Sequence, residues 1–241
     1  MATNDIFTSN DYEHDDRWTA VDAYATTHLH SRSPPDADVL TRALETIRDS
    51  GMPDDSTYPA FGKYLALQCR SANAKNVLEV GSLGGYTAIW IASLNPDVKI
   101  TTLEVNPKHA QVTRQNLEMA GLLDRVEVVL GPALDTLPGL KSQVESGERP
   151  KFGFVFIDAD KENNWPYFDY AVSMSLPGTL IYVDNVVRRG NIVNEEKLDT
   201  SPVQGSRQVI EEAGKDERVD CVVMQTVSEK NYDGYLLALV K

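Results

Sequence analysis

Along the first third of the chain apolar residues recur at helical spacing, and from Asn76 onward they gather into short runs. Val39, Leu40, Ala43, Leu44 and Ile47 share one face of a 3.6-residue period, and Gly51 ends the segment, which predicts a helix. A second helix begins at Pro59, a residue suited to a first helical turn, and runs toward Cys69. Upstream, residues 1–35 show weak periodicity and close on Ser33-Pro34-Pro35, a breaker cluster. They read as an N-terminal arm with one short helix around Trp18–Leu29, ahead of a single domain over residues 36–241.

The short apolar runs alternate with longer amphipathic segments. Asn76–Val80 precedes Tyr86–Leu94, Lys99–Glu104 precedes Pro107–Ala120, and Val126–Leu130 precedes Pro132–Leu140. Phe152–Asp158 is followed by Trp165–Ser175, and Thr179–Asp184 by Ser201–Ala213. Strands apolar along their whole length, each followed by a helix, predict a parallel sheet covered on both faces. Cys221–Val227 and Tyr235–Val240, around a turn at Asp233-Gly234, predict an antiparallel hairpin at one edge. The fold class is therefore a doubly wound α/β domain with an antiparallel end strand.

Composition removes several classes of partner. The chain has 23 Lys and Arg against 36 Asp and Glu, a net charge of -13, and only Arg188-Arg189 sets two cations side by side. A binder of nucleic acid or of an anionic membrane needs a basic patch, so a small molecule is the expected partner. No run of about 18 apolar residues crosses a membrane, and the acidic N-terminus lacks the pattern of a signal or transit peptide. Cys69 and Cys221 lie far apart in apolar segments and read as reduced core residues, which agrees with a cytoplasmic protein.

In a doubly wound sheet, ligands sit beyond the carboxyl ends of the strands. The first strand ends in Glu79-Val-Gly81-Ser82-Leu83-Gly84-Gly85-Tyr86-Thr87. Glycines there let the backbone approach a ligand, although any tight strand-to-helix turn favours them. The second strand ends at Glu104, about twenty residues on, where a carboxylate can accept both hydroxyls of a ribose or simply start the helix at Pro107. Together these features suggest an adenosine-containing cofactor, either NAD or S-adenosylmethionine. Glu79 favours the second, because a carboxylate in the glycine turn would repel a pyrophosphate.

Two later strands end in Phe-Ile-Asp158-Ala-Asp160-Lys161 and Val-Asp184-Asn185. Asp158, Asp184 and the Asn185 amide would converge as oxygen ligands suited to Mg²⁺ or a similar hard cation such as Mn²⁺ or Ca²⁺, though aspartates also cap helices at such turns. Zinc is disfavoured, since His14, His28, His30 and His109 offer only the His28-x-His30 spacing and read as surface or packing residues.

These motifs, with Gly131-Pro132-Ala133, resemble the cation-dependent O-methyltransferases, the group that contains caffeoyl-CoA and catechol O-methyltransferases. The resemblance runs from about Thr57 to the end of the chain. It implies the class I S-adenosylmethionine-dependent methyltransferase fold, Rossmann-like, with a seven-stranded sheet. It also implies that Thr57, Glu79, Gly81, Ser82, Thr87, Glu104, Ala133 and Asp158 surround the cofactor and that Asp158, Asp184 and Asn185 hold the metal. Lys161, beside Asp158, matches the catalytic base. Plant members carry a Trp-Asn pair where this chain has Arg188-Arg189, so Asp160, Arg188 and Arg189 are the candidate substrate contacts. The implied activity is methylation of a vicinal aromatic diol of catechol type, flavonoid-like or bearing a carboxylate that an arginine could pair, by a homodimer. The alternatives are an enzyme acting on CoA esters, with Arg17 as a third cation for the phosphates, an NAD-dependent oxidoreductase, and an inactive binding domain.

Overall fold

The computed structural model describes residues 15–30 and 34–241; His14 and Ser33 lie outside the described residues. Seven strands form one sheet: β1 (Asn76–Val80), β2 (Lys99–Glu104), β3 (Val126–Leu130), β4 (Phe152–Ile157), β5 (Ser175–Val183), β6 (Val219–Val227) and β7 (Tyr232–Val240). Their order is β3-β2-β1-β4-β5-β7-β6. The first five strands run parallel, and β7 is antiparallel to both β5 and β6. The antiparallel hairpin stands at one edge as the sequence predicts, with the reversed strand one position in from the end. The Rossmann-like expectation holds.

Helices cover both faces. On one lie α2 (Ala37–Asp49), α3 (Pro59–Ser71), α4 (Tyr86–Leu94) and α5 (Pro107–Met119); on the other lie α6 (Ala133–Glu145), α7 (Asn164–Ser173) and α8 (Ser201–Ala213). Alternation along β4 supplies both cores: Phe154 and Phe156 join Leu65 and Trp90, while Val155 and Ile157 join Phe168 and Val209. α4 is apolar all round because it is buried all round, with Ser93 alone of its nine residues not buried. The arm helix α1 (Asp16–Leu29) buries none of its own residues and rests on α3, where Lys63 Nζ donates to the Leu29 carbonyl at 2.5 Å.

Two expectations fail at the hairpin. The turn is not at Asp233-Gly234: both residues lie inside β7, paired with Thr226 and Gln225, and the connection is Ser228–Asn231. Gly234 is a point of close backbone approach, where a Cβ would lie 2.2 Å from the Met224 carbonyl oxygen. Cys221 is not a core residue; it is exposed on the edge strand β6, whereas Cys69 is fully buried and its thiol is pushed up to about 12 by burial. An edge strand has no neighbour on its outer side, so an apolar run there does not mean a covered one.

Candidate active site

A cavity of about 900 Å³ opens over the carboxyl ends of the parallel strands. At one end it is floored by the glycine turn between β1 and α4. Gly81 has φ +96, and a Cβ there would lie 2.2 Å from the Asp158 carbonyl oxygen, so only glycine lets this turn meet the loop after β4. Gly84 is braced from below by Asn116, whose Nδ2 donates to its carbonyl at 2.9 Å.

Glu104, at the end of β2, accepts from Leu83 N at 2.9 Å, Ser82 Oγ at 3.1 Å and Ser82 N at 3.3 Å through Oε2. Its Oε1 accepts from Asn106 N at 3.0 Å. The carboxylate therefore organises the glycine turn and the start of α5 together, which includes the helix-start role that the sequence offered for it. Ser82 Oγ lies 2.9 Å from Thr113 Oγ1, and Thr57 Oγ1 lies 3.0 Å from Thr87 Oγ1, with both threonines of this second pair on the wall. Ala133, at the start of α6, is also on the wall.

Glu79 departs from expectation. It sits within β1 rather than in the turn, is 1% exposed, and is not among the cavity-lining residues. Burial pushes its carboxyl up to about 8, with the charges of Asp158 and Glu104 adding to the effect. At neutral pH it is mostly protonated, so charge repulsion is not what it brings to the glycine turn. Its Oε2 has no hydrogen-bond partner. An unsatisfied buried oxygen beneath a ligand cavity fits a site that a polar ligand or an ordered water completes.

At the other end, Ile157 and Val183 are paired across β4 and β5, and Asp184 N donates to the Ile157 carbonyl at 2.9 Å. Asp158 and Asp184 thus stand side by side at adjacent strand ends. Burial, and then the charge of Asp158, pushes the Asp184 carboxyl up to about 8. Lys161 Nζ donates to Asp158 Oδ1 at 2.6 Å, and the lysine is 8% exposed. Asp160 accepts from Tyr167 Oη at 2.6 Å and from Asn163 Nδ2.

Asn185, Arg188 and Arg189 have φ of +55, +52 and +57, and Gly190 follows at +80. Such clustering of left-handed non-glycine residues is typical of functional loops. The donor chemistry suits a hard cation: two crowded carboxylates whose mutual repulsion a cation would relieve, and a neighbouring carboxamide. Among the described residues no three His, Cys, Asp or Glu side chains form a metal-binding group, so a cation here would need the Asn185 oxygen as its third protein ligand.

Arg188 and Arg189 line the cavity, but Arg188 is 6% exposed and its N donates to Asp233 Oδ1 at 2.9 Å. Burial lowers its pKa, and the opposing charges of Asp233, Asp158 and Asp184 work to retain its proton. Its charge balances this acidic end rather than projecting from the mouth. Arg17 pairs with Asp15 on exposed α1 and is not on the wall. Other wall residues were not singled out in the sequence. His109, read as a surface or packing residue, has Nδ1 3.7 Å from Glu104 Oε1; its place one turn into the helix after Glu104 was the available signal. Tyr58, Phe61 and Tyr235, and the hairpin turn, carry no local motif.

A glycine turn under an acidic strand end, opening into a cavity at the switch between β1 and β4, defines a Rossmann-like ligand-binding enzyme fold. A family model described as O-methyltransferase matches residues 31–239, and the chain belongs to that family. It is 51% identical over 241 residues to the O-methyltransferase imqG of Aspergillus flavus, covering 100% of this chain and 98% of that protein. It is 42% identical over 205 residues to a catechol O-methyltransferase of Niastella koreensis, covering 85% of this chain and 90% of the relative. The crystal structure of an O-methyltransferase from Bacillus cereus in complex with SAH superposes with a TM-score of 0.85 at 41% identity, covering 94% of this chain and 99% of that one.

Proposed function

We propose that the protein transfers a methyl group from S-adenosylmethionine to one hydroxyl of a catechol-type small molecule in a divalent-cation-dependent reaction. The observation that carries this reading is that one cavity joins the Glu104-organised glycine turn to the Asp158–Asp184–Asn185–Lys161 cluster. Its volume is at the upper end for small-molecule sites, which suits a cofactor and an acceptor together. The catechol O-methyltransferase relative supports the acceptor class, and the SAH complex of a structural neighbour supports the cofactor.

In this reading Gly81, Ser82, Thr57, Thr87, Glu104 and Ala133 bind the cofactor, with Glu79 beneath the turn. The cofactor supplies an electrophilic methyl group when bound. Asp158, Asp184 and Asn185 hold the cation, which when bound would supply positive charge to hold a vicinal diol and acidify one hydroxyl. Lys161 Nζ, beside Asp158, takes the hydroxyl proton when it is present as the free amine, becoming the ammonium that pairs with Asp158. Tyr58, Phe61 and Tyr235 provide an apolar wall for an aromatic ring, and fixing the ring against the methyl donor lowers the barrier by orientation. Burial of Arg188 beside Asp233 withdraws that arginine from nucleotide phosphates, which favours a free catechol over a CoA ester.

The test is transfer of labelled methyl to a panel of catechols. Activity is expected to vanish with EDTA, return with Mg²⁺ or Mn²⁺, and fall to a few per cent or less, roughly, in Asp158→Ala and Asp184→Ala proteins that remain folded. Full activity after thorough chelation refutes the metal assignment. A strong preference for caffeoyl-CoA over caffeic acid in direct competition refutes the free-catechol assignment.

A further inference from the structure

The segment between α2 and α3 carries Thr57 and Tyr58 to the cavity wall, yet residues 53–58 have no helix or strand of their own. What fixes them comes from the far end of the chain. Lys230, on the turn between β6 and β7, donates from Nζ to the Ser56 carbonyl at 2.6 Å, the Asp54 carbonyl at 3.1 Å and Asp54 Oδ1 at 3.3 Å. An ammonium has three protons, and all three acceptors lie within this short segment.

The turn that presents Lys230 is itself held. Ser228 is 3% exposed, and its Oγ accepts from Lys230 N at 3.2 Å and Asn231 N at 3.3 Å. Glu229 N donates to Asp22 Oδ2 at 2.8 Å, which fastens α1 to the same turn. Just past the tether, buried Thr57 meets Thr87 of α4, and Phe61 follows on the acceptor side. A lysine at a hairpin tip is normally solvated; this one is spent on two backbone carbonyls that face no regular partner.

We propose that Lys230 is a positioning residue: its ammonium holds residues 54–58 in the form that presents Thr57, Tyr58 and Phe61 to the ligands. The inference rests on the proposed function for the identity of those ligands. Lys230 also lines the cavity, but its ammonium is engaged by Asp54 and Ser56. Its removal is therefore expected to act on the fraction of protein competent to bind, and exchange at 54–58 separates this from loss of a direct ligand contact. The apparent dissociation constant rises as that fraction falls.

The experiment compares wild type, Lys230→Met and Lys230→Arg by calorimetric titration with S-adenosylmethionine, by steady-state kinetics on catechol with Mg²⁺, and by hydrogen–deuterium exchange. In Lys230→Met, the cofactor dissociation constant and the KM for catechol are expected to rise about tenfold, with kcat at saturation within about twofold. Amides of residues 54–58 exchange faster, and Lys230→Arg restores most of both effects. Unchanged affinity, or a fall in kcat and melting temperature with KM untouched, overturns the proposal. Wild type that fails to bind S-adenosylmethionine overturns the functional reading instead. In that case exchange alone decides the tether, and unchanged exchange at 54–58 in Lys230→Met refutes it.

Discussion

Gly205 lies in the middle of α8, where replacing glycine by alanine ordinarily stabilises a helix by about 1 kcal/mol. The structure predicts the opposite here. A Cβ at this position would sit 2.1 Å from the Lys161 carbonyl oxygen and 2.5 Å from the Glu162 Cα, both backbone atoms that cannot rotate away. Moving from 2.1 Å to the 3.4 Å of ordinary contact requires α8 and the turn at Lys161–Asn163 to part by about 1.3 Å. Overpacking of this kind costs up to about 3 kcal/mol against a helix preference of about 1, a net loss of up to about 2 kcal/mol, and melting is expected to fall by up to roughly 8 °C. The shift also carries Lys161 away from its 2.6 Å contact with Asp158. Misplacement of a catalytic group on this scale costs up to about a hundredfold in turnover. Scanning calorimetry and kcat at saturating S-adenosylmethionine, catechol and Mg²⁺ measure the two effects. Cofactor affinity is the internal control, because the Glu104 end of the cavity does not touch α8. A Gly205→Ala protein as stable as wild type, with kcat within twofold, would show that the contact is slack and the reasoning wrong.

Two further substitutions probe the buried carboxylates. Glu104→Ala removes the acceptor for Ser82 N, Leu83 N and Asn106 N, bonds to a charged group worth about 1.5–3 kcal/mol each. S-adenosylmethionine affinity is expected to drop at least about tenfold by calorimetry, and unchanged affinity would confine Glu104 to its role at the start of α5. Glu79→Gln tests the buried carboxyl in the cofactor-free protein. Its pKa of about 8 when folded lies above its ordinary 4.5, so the folded state keeps a proton that the unfolded chain loses between those values. Wild-type stability from this group therefore falls as pH rises from 4.5 to 8, and the glutamine variant lacks that slope. Urea melts should show the variant gaining on wild type by on the order of 2–4 kcal/mol between pH 4.5 and 8.5; a constant difference would refute the assignment.

Much of the site was legible because chemistry gathers at the ends of apolar strands. Gly81, Glu104, Asp158 and Asp184 each follow a short buried run, and in a parallel sheet all such ends point the same way. Glu79 falls inside the Asn76–Val80 strand that the apolar run predicts, and only its reading as a charge within the glycine turn fails, because the strand buries it off the wall. Asp233-Gly234 reads as a turn in any local window, since the same dipeptide suits a tight turn and a close strand contact.

The order of residues along the chain determined the alternation of strands and helices, the glycine turn and the row of acidic strand ends. These depend on periodicity and on neighbours a few residues away. Only the tertiary structure decided that β7 inserts between β5 and β6, that Arg188 is enclosed among Asp158, Asp184 and Asp233, and that Cys221 faces outward. It alone joined Lys230 to Asp54 and Ser56, and pressed Gly205 onto Lys161. Those contacts link residues tens to hundreds of positions apart, and a hydrogen bond or steric contact is set by distances of a few ångströms in space, which no repeat along the sequence records.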